Sequence, residues 1–247
     1  PIEGVTLFAT YAEAFRAPAL TETLMQGLHP GAANFLIRPN PELRPETAEN
    51  IEAGVNLKFD NVVASGDAFR AKGTVFRNEI ADFIDQVFVT GPIAGLLVPQ
   101  PPGRPRFSPY FLDDFVQYQN IANALIEGVE FEAYYDARSW FMGIGAHHIR
   151  GTNEDTGAGL FSIPADQLTL TVGFRALDEK LTAGTRVRFV GEQDRFIEGD
   201  TAAAQHADAY NVVDLFAQYE ANENLILNAN IDNLFDETFR QHLDQFN

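Results

Sequence analysis

Long runs of strict apolar–polar alternation constrain this chain more than any other feature. In GVEFEAYYDAR, Val129, Phe131, Ala133 and Tyr135 fall on one face and Glu130, Glu132, Tyr134 and Asp136 on the other. In QLTLTVGFR, Leu168, Leu170, Val172 and Phe174 alternate with Thr169, Thr171, Gly173 and Arg175. The same period recurs from Leu181 to Phe189 and from Leu225 to Asp232. Successive side chains of a pleated strand point to opposite faces, so each run is a strand with one apolar and one openly polar surface. Nine candidate strands follow, roughly 3–13, 47–58, 64–89, 114–136, 139–151, 165–176, 180–192, 209–220 and 223–232.

A soluble sandwich also alternates, so strand and connection lengths carry the decision. Several candidates reach or exceed the roughly 9–11 residues that a tilted strand needs to cross a bilayer, well above the usual five or six or so. Long connections fall at about 14–46, 90–113, 152–164 and 193–208, and short ones at 59–63, 137–138, 177–179 and 221–222. Long loops at one end and tight turns at the other are the mark of an outer-membrane β-barrel; a soluble Greek key does not sort its loops this way. Tyr11, Tyr134, Tyr135, Trp140, Tyr210 and Tyr219 lie near strand ends, where an aromatic girdle belongs. Bacterial single-chain barrels have even strand counts, and an open sheet leaves unpaired edges in lipid. The expected fold is therefore all-β: about 9–10 antiparallel strands of a larger transmembrane barrel. On this expectation residues 1–247 are its C-terminal portion, with the early strands and the closing strand lying outside the sequence.

Composition narrows the function. Seventeen basic residues face 35 acidic ones, for a formal charge of −18. That excludes a phosphate-binding surface and with it nucleic acid, but not contact with outer-membrane lipid. There is no cysteine, hence no disulfide or thiolate chemistry. No apolar run is long enough for a transmembrane helix, and PIEGVTLFAT has neither the charged nor the apolar region of a signal peptide. No phosphate loop, Ser-His-Asp order or metalloprotease motif is present, so no enzyme is expected. Carboxylates such as Glu130 and Glu132 suit a hydrated lumen wall, opposite arginines of the Arg186 and Arg188 type. The oxygen-rich NEDTGAG, Asn153 to Gly159, lacks the spacing of a calcium loop and is expected to be solvated.

One connection stands apart. FRAPALTETLMQGLHPGAANFLIRPNPELRPE, Phe15 to Glu46, is proline-punctuated and carries His29 near its middle. Strand parity puts His29, His206 and His242 in long-loop regions, and His147 and His148 at the long-loop end of their strand. The last two point to opposite faces; His147 shares its face with Gly143 and Gly145 and is the lumen candidate.

Three segments resemble the C-terminal half of a TonB-dependent outer-membrane receptor. They are YAEAFRAPALTE with NPELRPETAENIEAGV, then NIANALIEGVEFEAYY, then YNVVDLFAQYEANENLILNANIDNLFDETF. The resemblance implies a barrel of about 22 strands with an N-terminal plug that is absent from this sequence. It also implies the import of scarce iron complexes or cobalamin with energy delivered through TonB. Within the family, Phe15, Arg16, Ala17 and Pro18 (FRAP) and Asn40, Pro41, Glu42 and Leu43 (an NPxL motif with Glu in third place) flank a histidine as in haem and haemoglobin receptors. By that likeness His29 is an axial ligand of haem iron, with a second ligand from the plug or its apical surface. Haem is then a transported ligand, not a catalytic cofactor, and the partners are TonB and haem or a haem-carrying protein.

The chemistry suits those residues. Neutral imidazole is a strong haem ligand. Leu24, Met25, Leu28, Phe35, Leu36 and Ile37 offer cover for a planar macrocycle, and Pro30–Gly31 a turn that projects the imidazole. Arg16 or Arg38 can pair with a propionate, and His147 is a candidate relay. The alternatives are a solvated loop histidine, a siderophore or cobalamin receptor of the same fold, and a passive porin or structural β domain.

Overall fold

The computed structural model describes residues 2–28, 36–90, 114–121, 123–160, 162–195 and 206–242. The elements run β1 (Val5–Arg16), α1 (Leu20–Leu24), β2 (Gly27–Leu28), β3 (Leu36–Arg38), β4 (Glu46–Asp60), β5 (Ala68–Ala81) and β6 (Ile84–Thr90). They continue with β7 (Asp114–Asn120), β8 (Asn123–Asp136), β9 (Trp140–Asn153), β10 (Gln167–Ala176), β11 (Leu181–Val190), β12 (Tyr210–Asn222) and β13 (Leu225–Ile231). Nine of them make one antiparallel sheet in the order β1-β4-β5-β8-β9-β10-β11-β12-β13, an up-and-down meander.

Register turns the alternation into two surfaces. Leu7, Val55, Gly73, Phe131, Ala146, Leu168 and Phe189 form one continuous cross-strand row. The next row, one residue along, is Thr6, Asn56, Lys72, Glu132, Gly145, Thr169, Arg188 and Val212. The first face leaves Leu7, Val75, Val129, Trp140, Met142, Val172 and Phe174 exposed, with nothing among the described residues packed over them. So large an apolar face calls for a non-aqueous surrounding, and the fold is the transmembrane β-barrel architecture that the alternation predicts.

The four short connections, 61–67, 137–139, 177–180 and 223–224, all lie at one end of the sheet. They are closed by local devices. Asp67 accepts hydrogen bonds from the backbone N–H groups of Val62, Val63 and Ala64 and from the Tyr135 hydroxyl. That hydroxyl, followed by the three amides, draws its carboxyl down to about 2. Near this end the polar face carries a row Phe141, Gly173, Gly184, Phe216. The two rings lie over the two glycines and approach each other, their centroids 6.5 Å apart. A Cβ at Gly173 would stand 2.3 Å from the Phe141 ring. The Arg175 guanidinium lies over Phe141 at 4.9 Å and forms a two-pronged ion pair with Asp136.

Two expected strands are each two elements. The stretch 64–89 divides because Asp82 adopts a left-handed backbone (φ 56°), after which β6 leaves the barrel sheet. The stretch 114–136 divides between β7 and β8, where the Ile121 N–H donates to the Phe83 carbonyl. The released strands build a second sheet, β2-β3-β7-β6, at the long-loop end, in which β3 and β7 run parallel. Parallel pairing between strands from two different loops leaves no local trace in a sequence.

Candidate functional site

The long-loop end brings together most of the residues singled out from the sequence. Arg16 closes β1 directly opposite Glu46, which opens β4. Its Nε donates to Glu46 Oε2 at 2.5 Å, and its Nη1 reaches both Glu22 oxygens at 2.9 Å. Glu22 in turn accepts the Ala19 N–H, closing the first turn of α1. Ala17 and Pro18 link strand to helix, while Phe15 sits on the apolar face in register with Thr47. Two of the three guanidinium nitrogens of Arg16, Nε and Nη1, are thus turned to protein carboxylates.

The NPEL segment is held from β7. Asn40 donates to the Tyr118 carbonyl at 2.9 Å, and its oxygen accepts the Glu42 N–H, a side-chain-closed turn. Leu43 is buried, whereas Pro41 and Glu42 face outward. Asn120 completes the join: it accepts the Arg44 N–H at 2.8 Å and donates to the carbonyls of Arg44 and Asp82. Gln117 donates to the Pro39 carbonyl. Arg38 lies over the Phe115 ring at 4.6 Å. Among the described residues it makes no ion pair with a carboxylate. β2 and β3 pair as a hairpin, Gly27 with Ile37 and Leu28 with Leu36. His29, Phe35 and the Pro30–Gly31 turn between them lie outside the described residues.

The other two loops are also joined. Leu160 and Ile163 of the 154–166 connection pack with Ile80 and Ala124 on the polar face, against Ala48, Phe83, Ile121, Ile126 and Ile149. Gln193, 1% exposed, donates to the Ile163 carbonyl and exchanges backbone hydrogen bonds with Ala207. Arg195 reaches from Gln193 Oε1 to the Ile149 carbonyl.

His147 stands on the polar face between Glu130 and Gln167. Its Nε2 is 3.1 Å from the Ala165 carbonyl, which only accepts; the proton is therefore on Nε2, and Nδ1 is the nitrogen open to a ligand. His148, on the apolar face opposite Val129, contacts Asp166 at 2.9 Å. Asp166 is clasped by both Arg150 nitrogens, and Arg150, then His148, hold its carboxyl below the usual carboxylate range. His206 contacts Asp208 and Glu192, and His242 is buried.

Below His147 on the same face, a recess of about 600 Å³ opens beside Lys58, Lys72, Glu132, Tyr134, Thr169 and Thr171, with Gly143 and Gly145 as its floor. A Cβ at Gly145 would meet nothing within 4 Å, so the floor is bare backbone.

Glu46, Asn120 and Gln193 are the residues that sequence reasoning passed over. Glu46 had a partial signal: it opens one alternating strand as Arg16 closes the one before it, a pair of opposite charges at two strand ends. Asn120 and Gln193 had none, because each bonds to backbone from a remote loop.

Residues 1–234 match the family model "TonB dependent receptor-like, beta-barrel". A Heme/hemopexin utilization protein C of Haemophilus influenzae is 32% identical over 94% of this chain and 33% of its own length. The chain thus spans about a third of the length of the curated relatives it matches. Among solved structures, a double mutant of the Serratia marcescens hemophore receptor HasR, in complex with its hemophore HasA and heme, superposes with a TM-score of 0.66. It is 25% identical over 94% of this chain and 34% of its own. A ferric enterobactin receptor mutant from Pseudomonas aeruginosa, in complex with enterobactin, gives 0.67 at 26% identity, over 98% and 35%.

Proposed function

The chain belongs to the TonB dependent receptor-like β-barrel family, and from that premise we propose that the whole protein is an outer-membrane receptor importing haem, free or taken from a carrier protein, with energy delivered through TonB. Its apolar sheet face lies in outer-membrane lipid, its polar face lines the lumen, and the long-loop end faces the medium. In this proposal His29 is an axial ligand to haem iron, carried between β2 and β3, with β3 held by its pairing to β7 and by the Pro39 and Asn40 contacts. Arg38, stacked on Phe115, is the cation available to a propionate, and Phe35 covers the macrocycle. His147, with Nδ1 open, receives cargo at the head of the Gly143–Gly145 recess.

The observation that carries this proposal is the pairing of two things: a FRAP–His–NPEL loop, and a relative named for haem and hemopexin utilisation that is 32% identical over 94% of the chain. Axial imidazole is a principal determinant of haem affinity, and a β3 strand already paired to β7 lowers the ordering cost of presenting it.

Likeness to the enterobactin receptor supports a second reading, a ferric siderophore as cargo. Growth separates the two. In an iron-starved host lacking its own haem and enterobactin receptors, the full-length protein should restore growth on haemin in a TonB-dependent manner and leave ferric enterobactin unused. Growth on ferric enterobactin alone would replace haem by the siderophore, and growth without TonB would remove active import altogether.

A further inference from the structure

We infer that Glu46 is a positioning residue for cargo capture: it pins the FRAP end of the first loop, with α1, to β6 at the start of the second, and so to the sheet that β6 shares with β3 and β7. The inference rests on the proposed role of the first loop in cargo binding. Glu46 belongs to neither loop. It is the first residue of β4, it is 6% exposed, and its two oxygens are divided between the loops. Oε2 takes Arg16 Nε at 2.5 Å, and Oε1 takes the Ile84 N–H, the first amide of β6, at 2.6 Å. Through Arg16 the chain of contacts continues to Glu22 and α1. Through Ile84 it enters the sheet that carries β3 and β7.

Burial gives this junction its weight. The buried member is the carboxylate side chain, 8% exposed, whereas the Arg16 side chain is 46% exposed and also bound to Glu22; an amide at 46 keeps one acceptor oxygen but turns an NH2 donor toward a second donor. The equivalent contact on the exposed side, Arg44 with Asp82, lies largely in solvent and cannot do the same. Asn40, Gln117, Asn120 and the β3–β7 pairing join the same two loops on the NPEL side, and Glu46 is the buried charged link, the one that reaches α1.

The rival account is competition: Glu46 merely neutralises Arg16, which is released to a cargo carboxylate on binding. The two differ in sign. If Glu46 positions, Glu46→Gln weakens haemin binding; if it competes, Glu46→Gln tightens it. In the full-length receptor, Glu46→Gln and Arg16→Gln are each expected to lower haemin affinity about tenfold, and the double variant to lose no more than either, since both break one link. Glu46→Asp should recover part of the loss. A heat-modifiable band on a denaturing gel reports that the barrel is intact in each variant. In a cysteine-free background, spin labels at Leu24→Cys on α1 and Val87→Cys on β6 should give one narrow distance distribution, broadened by Glu46→Gln. Tighter binding in Glu46→Gln, affinity within about twofold of the parent, or an unchanged distance distribution overturns the inference. If the parent receptor takes no haemin, the proposed cargo is wrong, and the distance measurement alone decides whether the two loops are pinned.

Discussion

The two ends of the same sheet are built by opposite means. At the short-turn end most closing bonds stay within one turn, Asp67 serving amides three to five residues before it and Asn222 an amide two residues on, while Tyr135 to Asp67 and Arg175 to Asp136 tie neighbouring turns together. The Phe141–Gly173–Gly184–Phe216 row packs this end from within, without loops. At the long-loop end the bonds reach far along the chain, 76 residues from Arg44 to Asn120, 78 from Asn40 to Tyr118 and 38 from Ile84 to Glu46. One end is a self-contained foundation. The other is an assembly of loops that exists only once the sheet has formed, and such late, long-range structure opens independently of the barrel beneath it.

That contrast is open to attack at several points. Gly184→Val puts a Cβ 2.5 Å from the Val172 carbonyl and 2.6 Å from the Phe216 ring. Overpacking there should cost about 3 kcal/mol of barrel stability in urea unfolding, yet leave haemin affinity of the folded fraction unchanged. Affinity that falls with stability would mean the ends are not separable. Asn120→Ala should reverse the pattern. The loss of three hydrogen bonds costs about 1–2 kcal/mol locally, read as faster amide exchange over 36–44 and 82–90 with β10 and β11 unaffected.

Acid sharpens the comparison from the other side. Asp67 is depressed to about 2, against roughly 3.9 unfolded. Its stabilisation is therefore complete above about pH 4 and is lost as pH falls through about 2. Asp67→Asn should flatten the acid limb of barrel unfolding and leave loop exchange at neutral pH as it was. The smallest effect belongs to Arg44→Ala: its ion pair is exposed, and the change should stay within about 0.5 kcal/mol, although the Arg44 backbone is a hub for Asn120.

The same contrast explains what could be read from the sequence. Strand faces, the sorting of short and long connections, and the opposite orientations of His147 and His148 follow from a period of two and need no distant partner. The FRAP and NPEL segments were legible as motifs, but what they hold was not. Asn40 and Arg44 meet β7 only because β3 pairs with it in parallel, and a parallel pair between two loops has no signature in either. The breaks at Asp82 and Ile121 were hidden for a related reason: β6 and β7 are themselves extended segments rich in apolar and β-branched residues, so a strand reading runs on through both breaks.

The most direct test of the account is a haemin titration of the full-length receptor followed in the Soret and Q bands, parent against His29→Ala. The account predicts a low-spin ferric spectrum in the parent, with a shift in spectrum and a loss of at least about tenfold in affinity in the variant. An unchanged spectrum and affinity in His29→Ala would contradict it.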